Sequence, residues 1–307
     1  MKKNFAPKLP LILLLLIFFL FSSINSISAA PYENQSIDFA AIDSYIQGQM
    51  QKHGLKGVSL AITENDEIVY LQGYGTAGNN QPMTAQTPMY IGSQSKSFAG
   101  LAIAQLIQAG EIKPNDAVVK YIPDFRIADA ESSQKITINH LLHHISGLSD
   151  AGFTEILPNE ATTKELLVAL QKAELTAPIG LKFQYFNYGY SLLSIVIENV
   201  TGMSYESYLQ ENIFNPLDMN NTFTNPVEAS ENGLSQGYSR LFGFTVPAKQ
   251  PHRVYDLASG YLMSTAEDMA HFSIALLNEG QYRGSQLVPG NRFQMIFQPV
   301  QGYGMGW

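Results

Sequence analysis

Tyr90-Ile91-Gly92-Ser93-Gln94-Ser95-Lys96-Ser97 sets a serine at the opening of an apolar helix, with a lysine three residues behind it. From Phe98 onward, Leu101, Ile103, Leu106 and Ile107 mark a largely buried helix that Ala109-Gly110 ends. Ser93 is expected in the helix's first turn, within reach of the Lys96 amine, because residues three apart share a helix face. The free amides and positive dipole end of the helix favour negative charge developing at the serine. Burial lowers a lysine's pKa, and a neutral amine can accept the serine's proton. The stretch therefore describes an activated alcohol; the structural alternative is a helix cap followed by a solvated lysine. Spacing alone does not decide between them, since Ser132-Ser133-Gln134-Lys135 repeats it and leads only into the polar connection Ile136-Thr137-Ile138.

The chain has 307 residues, 45% of them hydrophobic and only 14% charged, which excludes a disordered chain and suits one large domain. Residues 1–30 read as an export signal. Lys2, Lys3 and Lys8 precede an apolar run from Leu11 to Phe21, and small residues follow through Ser28-Ala29-Ala30. The run is short for a membrane span, so cleavage near Ser28 to Ala30 is the expectation, with an uncleaved anchor as the alternative. The protein is accordingly expected outside the cytoplasm, secreted or membrane-anchored, with residues 31–307 as its domain. Removing the signal takes away three lysines and no acids, leaving 15 basic and 26 acidic residues and a net charge of −11. So acidic a surface argues against nucleic acid and against an anionic membrane as partners. With no cysteine there is no disulfide and no thiolate metal site, so the core alone must stabilise the fold.

Asp38 to Gly54 has an amphipathic helical stripe of Phe39, Ile42, Ile46 and Met50. Val58 to Ile62 alternates as a strand, Glu64 to Glu67 makes a turn, and Ile68 to Leu71 returns. Ile136 to Leu148 reads as a short helix stopped at Gly147, carrying His140, His143 and His144. Three histidines at helical spacing invite a metal, but no nearby acid or cysteine completes a ligand set, so they read as structural. Thr162-Thr163-Lys164-Glu165 is a capping box before an apolar helix. Tyr185-Phe186-Asn187 leads into a further apolar helix from Ser191 to Val200. There a phenol and an amide can be presented to a cleft, one to relay protons and the other to orient a carbonyl. The alternative is an aromatic turn packing on its neighbours, and Tyr32-Glu33-Asn34 repeats the pattern.

Ser93-x-x-Lys96 and Tyr185-x-Asn187, in this order and with these flanks, resemble the serine β-lactamase and penicillin-binding-protein superfamily. The similar branch is that of class C β-lactamases, D-alanyl-D-alanine carboxypeptidases and related esterases. Flanking stretches agree: His140 to Leu148, Pro216-Leu217-Asp218-Met219, Ala258-Ser259-Gly260-Tyr261, Ser264 to Asp268 and Tyr303-Gly304-Met305-Gly306-Trp307. The resemblance implies an α/β (α+β) fold, an antiparallel sheet flanked by helices with a mostly helical region inserted. It also implies Ser93 as acylated nucleophile, Lys96 as its proton partner, Tyr185 as base or relay and Asn187 as a substrate-amide contact. No cofactor and no metal are implied, and the partner is a small-molecule or peptidoglycan-peptide substrate. Which of lysine and tyrosine takes the proton stays open.

The departure from the family pattern follows Tyr190. No glycine there has a Lys or His two residues before it, so the third family motif is absent and the chain reads as lacking its C-terminal strands and helix. In the family that strand supplies one of two oxyanion amides, and losing one donor costs about 2.7–4 kcal/mol. An open sheet edge and an uncovered apolar face would accompany the loss. Two functions are therefore expected: an exported serine hydrolase acting through a Ser93 acyl-enzyme on β-lactams, D-alanyl peptides or esters, or a catalytically impaired cell-wall-binding or regulatory module.

Overall fold

The computed structural model describes residues 37–153 and 155–307. The stretch 1–30, read above as an export signal, and the repeat Tyr32-Glu33-Asn34 lie outside them. The chain divides at Asp43/Ser44 into two units. Of the first, the described residues are 37–43, which open helix α1 (Phe39–His53).

In the second unit, strands β1 (Gly57–Glu64) and β2 (Glu67–Gly78) form an antiparallel hairpin, Glu64 facing Glu67 across the turn. Asn65 takes the left-handed conformation there (φ 53°), which asparagine tolerates better than most residues. The two-residue strand Gln81–Pro82 adds to β2, giving a three-stranded sheet in the order of the chain. Helix α2 (Ser95–Ala109) is buried almost throughout and stops at Gly110, whose φ of 82° suits glycine. Short helix α3 (Ile138–Leu142) and capped helix α4 (Thr163–Leu170) follow, and helix α5 (Asn187–Thr201) packs on α2 and α3. Strands β3 (Gly237–Leu241) and β4 (Phe244–Ala248) make a separate hairpin, and helix α6 (Ala266–Leu277) lies on β1 and β2. An antiparallel sheet covered by a helix from late in the chain, with helices inserted between, is the architecture the resemblance implies.

One apolar core joins α2, α3, α5 and α6, and the stacked rings of Phe98 and Phe272 tie α2 to α6 at 4.4 Å. The capping box of α4 forms as its sequence indicates: the Thr162 hydroxyl accepts from Glu165 N, and the Glu165 carboxylate accepts from Thr162 N. The motif Ser264 to Asp268 serves packing. Buried Asp268 accepts from Asn221 N and Thr222 Oγ1, both at 2.8 Å, pinning the start of α6.

Three expectations change. Helix α3 ends at Leu142 rather than running to Gly147, because His144 turns into the left-handed region (φ 55°). Helix α5 starts four residues early, at Asn187, which moves the amide of the Tyr185-x-Asn187 pair from a loop to a helix N-terminus. Tyr303 to Trp307, a strand in the family pattern, makes only an isolated bridge between Val300 and Tyr303. Its backbone instead lies against α2: a Cβ on Gly100 would stand 2.1 Å from Met305 O, and one on Gly306 would stand 2.5 Å from Lys96 O. Among the described residues no helix is long and apolar enough to cross a membrane.

Candidate active site

Ser93 sits in a 3₁₀ turn, Gly92–Gln94, that feeds directly into α2. At this position the backbone N–H has no partner within the helix, so it is free to receive an anion. The unusually polar first turn has a local explanation. Buried Ser95 donates to Gly92 O at 2.8 Å and accepts from Leu262 N at 3.2 Å, while Ser97 donates to Gln94 O at 2.7 Å. These bonds fix the turn to the strand segment Met263–Ser264, which pairs with Met89–Tyr90.

The structure brings Ser93, Lys96, Tyr185 and Asn187 together. Tyr185 Oη donates to Ser93 Oγ at 2.8 Å across 92 residues of sequence. Lys96, fully buried, donates to Asn187 Oδ1 at 2.7 Å and to the Ser259 carbonyl at 2.5 Å, and its third direction meets Ser93 Oγ at 3.4 Å. The repeat at Ser132-x-x-Lys135 differs, since Lys135 is an exposed partner of Glu131.

Desolvation is the main influence on Lys96, lowering its pKa to about 8, while Asp256 and Asp150 act in the opposite sense. Burial raises the Tyr185 phenol, and the hydrogen bond with Ser93 partly offsets that. Asp256 is buried with its carboxyl raised by desolvation; it is held by Ser191 Oγ at 2.6 Å and by the Ser259 side chain.

Asp150 and Ser259 were given no role from sequence, whereas His143 and His144, read as structural, are buried beside the site. Asp150 accepts from Asn187 N at 2.9 Å and from Asn187 Nδ2 at 2.7 Å, capping α5 and turning the amide so that its oxygen faces Lys96. Asn187 thus spends its oxygen on Lys96 and one amide proton on Asp150, leaving one N–H for a substrate. His144 supports Tyr185 from below, ring centroids 4.4 Å apart, and its Nδ1 accepts from Phe186 N at 3.2 Å. Desolvation, with Lys96 and His143 adding to it, lowers His144 to about 3, so the ring is neutral. His143 Nδ1 donates to Tyr303 O at 2.8 Å, and His140 accepts from Thr137 N at the start of α3. The only hints in sequence were positional, Asp150 following Ser146-Gly147-Leu148 and Ser259 lying in Ala258-Ser259-Gly260-Tyr261.

Exposed Ser93 opens onto a cleft of about 560 Å³ walled by Tyr188, Tyr261 and Arg253. The Arg253 guanidinium lies 5.9 Å from the centre of the Tyr261 ring and its Nε donates to Asn159 Oδ1 at 3.2 Å. Among the described residues it forms no ion pair.

The sequence matches the Beta-lactamase family over residues 42–307. Protein flp of Staphylococcus aureus strain MW2 is 32% identical over 241 residues, covering 77% of this chain and 48% of that protein. Penicillin-binding protein 4 of Amycolatopsis lactamdurans is 26% identical, covering 75% of this chain and 61% of that one. The chain thus spans about half to three-fifths of the length of these curated relatives. Among solved structures, the octameric penicillin-binding protein homologue from Pyrococcus abyssi superposes with a TM-score of 0.77 at 28% identity, over 88% of this chain and 64% of that one. EstCE1, a hydrolase with promiscuous acyltransferase activity, shares the fold at a TM-score of 0.75 and 20% identity, over 88% of this chain and 83% of that one.

Proposed function

From the premise that this chain belongs to the beta-lactamase family, we propose that it is an exported serine hydrolase working through an acyl-enzyme on Ser93. Its substrates carry an activated carbonyl, as a β-lactam, a D-alanyl peptide or an ester does. The observation that carries the proposal is the pinning of Lys96. Two of its hydrogens go to Asn187 Oδ1 and the Ser259 carbonyl. When the third is lost, the lone pair of the neutral amine is left aimed at Ser93 Oγ.

A lysine with a pKa near 8 is neutral in a useful fraction of molecules at neutral pH, whereas a phenol raised above its ordinary value keeps its proton. Lys96 is therefore the base in the free enzyme. Ser93 Oγ attacks the carbonyl carbon as its proton passes to Lys96, and the oxyanion forms against the Ser93 N–H. Collapse breaks the bond to the leaving group, which takes the Tyr185 proton; the ammonium of Lys96 then restores the phenol. Water attacks the ester in the second half by the same groups in reverse. Asn187 keeps one N–H for the acyl amide, and the Arg253 guanidinium on the cleft wall, which forms no ion pair among the described residues, suits an anionic group on the substrate.

Mass spectrometry after exposure to penicillin or to an activated ester tests this. A covalent adduct is expected on the wild type and not on Ser93→Ala, and the failure of every acyl donor to modify Ser93 would overturn it. Turnover of the same esters separates the hydrolase from a cell-wall-binding or regulatory module, which would acylate without releasing product.

A further inference from the structure

The hairpin of β3 and β4 closes through a two-residue loop, Phe242-Gly243, with Leu241 paired to Phe244. Both loop residues have positive φ, 48° at Phe242 and 84° at Gly243, the pattern of a type I′ turn. Such a turn favours Asn-Gly or Asp-Gly, because a short polar side chain tolerates the left-handed region and a bulky aromatic does not. Here the strained position carries a phenylalanine that is 92% exposed, flanked by Leu241 at 55% and Phe244 at 75%. Neither turn stability nor solubility accounts for three adjacent apolar side chains at a solvent-facing tip. A ligand for the tip does.

The charges around the tip indicate which ligand. The Arg240 guanidinium donates to His53 O, and Thr245 Oγ1 donates to Gly54 O at 3.4 Å, so the end of α1 and the loop after it abut the hairpin just below its tip. The last turn of α1 carries the exposed cation Lys52, and the loop adds Leu55, 49% exposed, and the exposed cation Lys56. The two segments that meet here, 48–57 and 233–253, contain no acidic residue, although the whole chain has 26. The chain's net charge of −8 argues against an anionic surface as a partner. Screening, however, confines electrostatics to about 8 Å at physiological salt, so at contact only the local charges act. An apolar tip with Lys52, Lys56 and Arg240 on the segments that meet below it is complementary to anionic headgroups over an acyl layer.

We propose that the tip Leu241–Phe244 docks on an anionic phospholipid bilayer, its aromatic rings entering the headgroup boundary while Lys52, Lys56 and Arg240 meet the phosphates. The contact is separate from the cleft and does not depend on the chemistry at Ser93.

The test reads the tip itself, so that attachment through the N-terminal apolar run does not score. Trp307 is the sole native tryptophan, so the quenching of Phe242→Trp beyond that of the wild type, on vesicles containing brominated phosphatidylglycerol, reports immersion of residue 242. Strong quenching is expected at low salt, and little on vesicles of brominated phosphatidylcholine. Replacing Lys52 and Lys56 together by Gln in the Phe242→Trp background should lower the immersion equilibrium by about 30-fold. A second variant, Phe242→Asn, relieves the turn. It should melt no lower than the wild type, yet release the protein's added affinity for anionic over neutral vesicles. Absence of excess quenching overturns the proposal. So does equal anionic preference in Phe242→Asn, or a concentration-dependent dimer that Phe242→Asn abolishes, which would make the tip a contact between copies.

Discussion

At the scale of the residue, the proposed chemistry turns on a single amine. Lys96 is buried, bonded to two neutral acceptors and lowered to about 8 chiefly by desolvation. Because the base works only when deprotonated, the rate of Ser93 acylation is expected to climb as pH rises through about 8 and then level off, measured with an activated ester. Lys96→Arg keeps the charge at every pH and should lower that rate by about 10²–10⁴-fold. Asp150 acts one step removed, as a positioning residue. Asp150→Asn deletes two charge-assisted bonds to Asn187, so the acylation rate should fall by about 10–100-fold with the fold intact. It also deletes a negative charge that raises Lys96. The midpoint of the pH profile should therefore move to lower pH, an outcome that a general loss of packing would not produce.

At the scale of the element, the site exists because helix starts are packed against other chain segments. The Gly92–Gln94 turn is tied to the strand segment beside it through Ser95, and the start of α5 is tied to Asp150. The last residues close on α2 at Gly100, where Met305 O leaves no room for a methyl group. Gly100→Ala should therefore displace the 304–307 backbone, destabilise the protein by about 1–3 kcal/mol and slow acylation through the Lys96 turn. Thermal melting and adduct formation, measured side by side, check both effects. If the variant melts with the wild type, the close approach of these two backbones is not a feature of the folded chain.

At the scale of the whole molecule, the described residues bury one large apolar core and a small second cluster of Phe223, Ala229 and Met263. The four ion pairs found among the described residues are all on the surface. Such pairs contribute little, so the melting temperature is expected to change only slightly between low salt and 0.5 M salt, within about 1 kcal/mol of equivalent stability. Acid is a different matter. His144 is buried neutral, with a folded pKa of about 3 against an ordinary 6.5. A depressed folded pKa stabilises fully above the unfolded value and is lost as pH falls toward the folded one. From about pH 6.5 down to 3 this group should cost up to about 1.4 kcal/mol per pH unit, and His144→Asn should flatten that part of a stability profile taken by denaturant titration. Local order was legible in the sequence wherever it is written in neighbouring residues. The capping box at Thr162, the stop at Gly110, the turn between β1 and β2 and the Ser93-x-x-Lys96 spacing all depend on contacts a few residues apart. Only tertiary structure decided which serine–lysine pair meets a phenol, that the Ser259 carbonyl and Asp150 fix the Lys96 amine and the Asn187 amide, and that Tyr303 to Trp307 lies on a helix. The reason is physical: these contacts join groups tens to hundreds of residues apart, and a backbone carbonyl or a loop aspartate leaves no signature in sequence until the fold brings it to its partner.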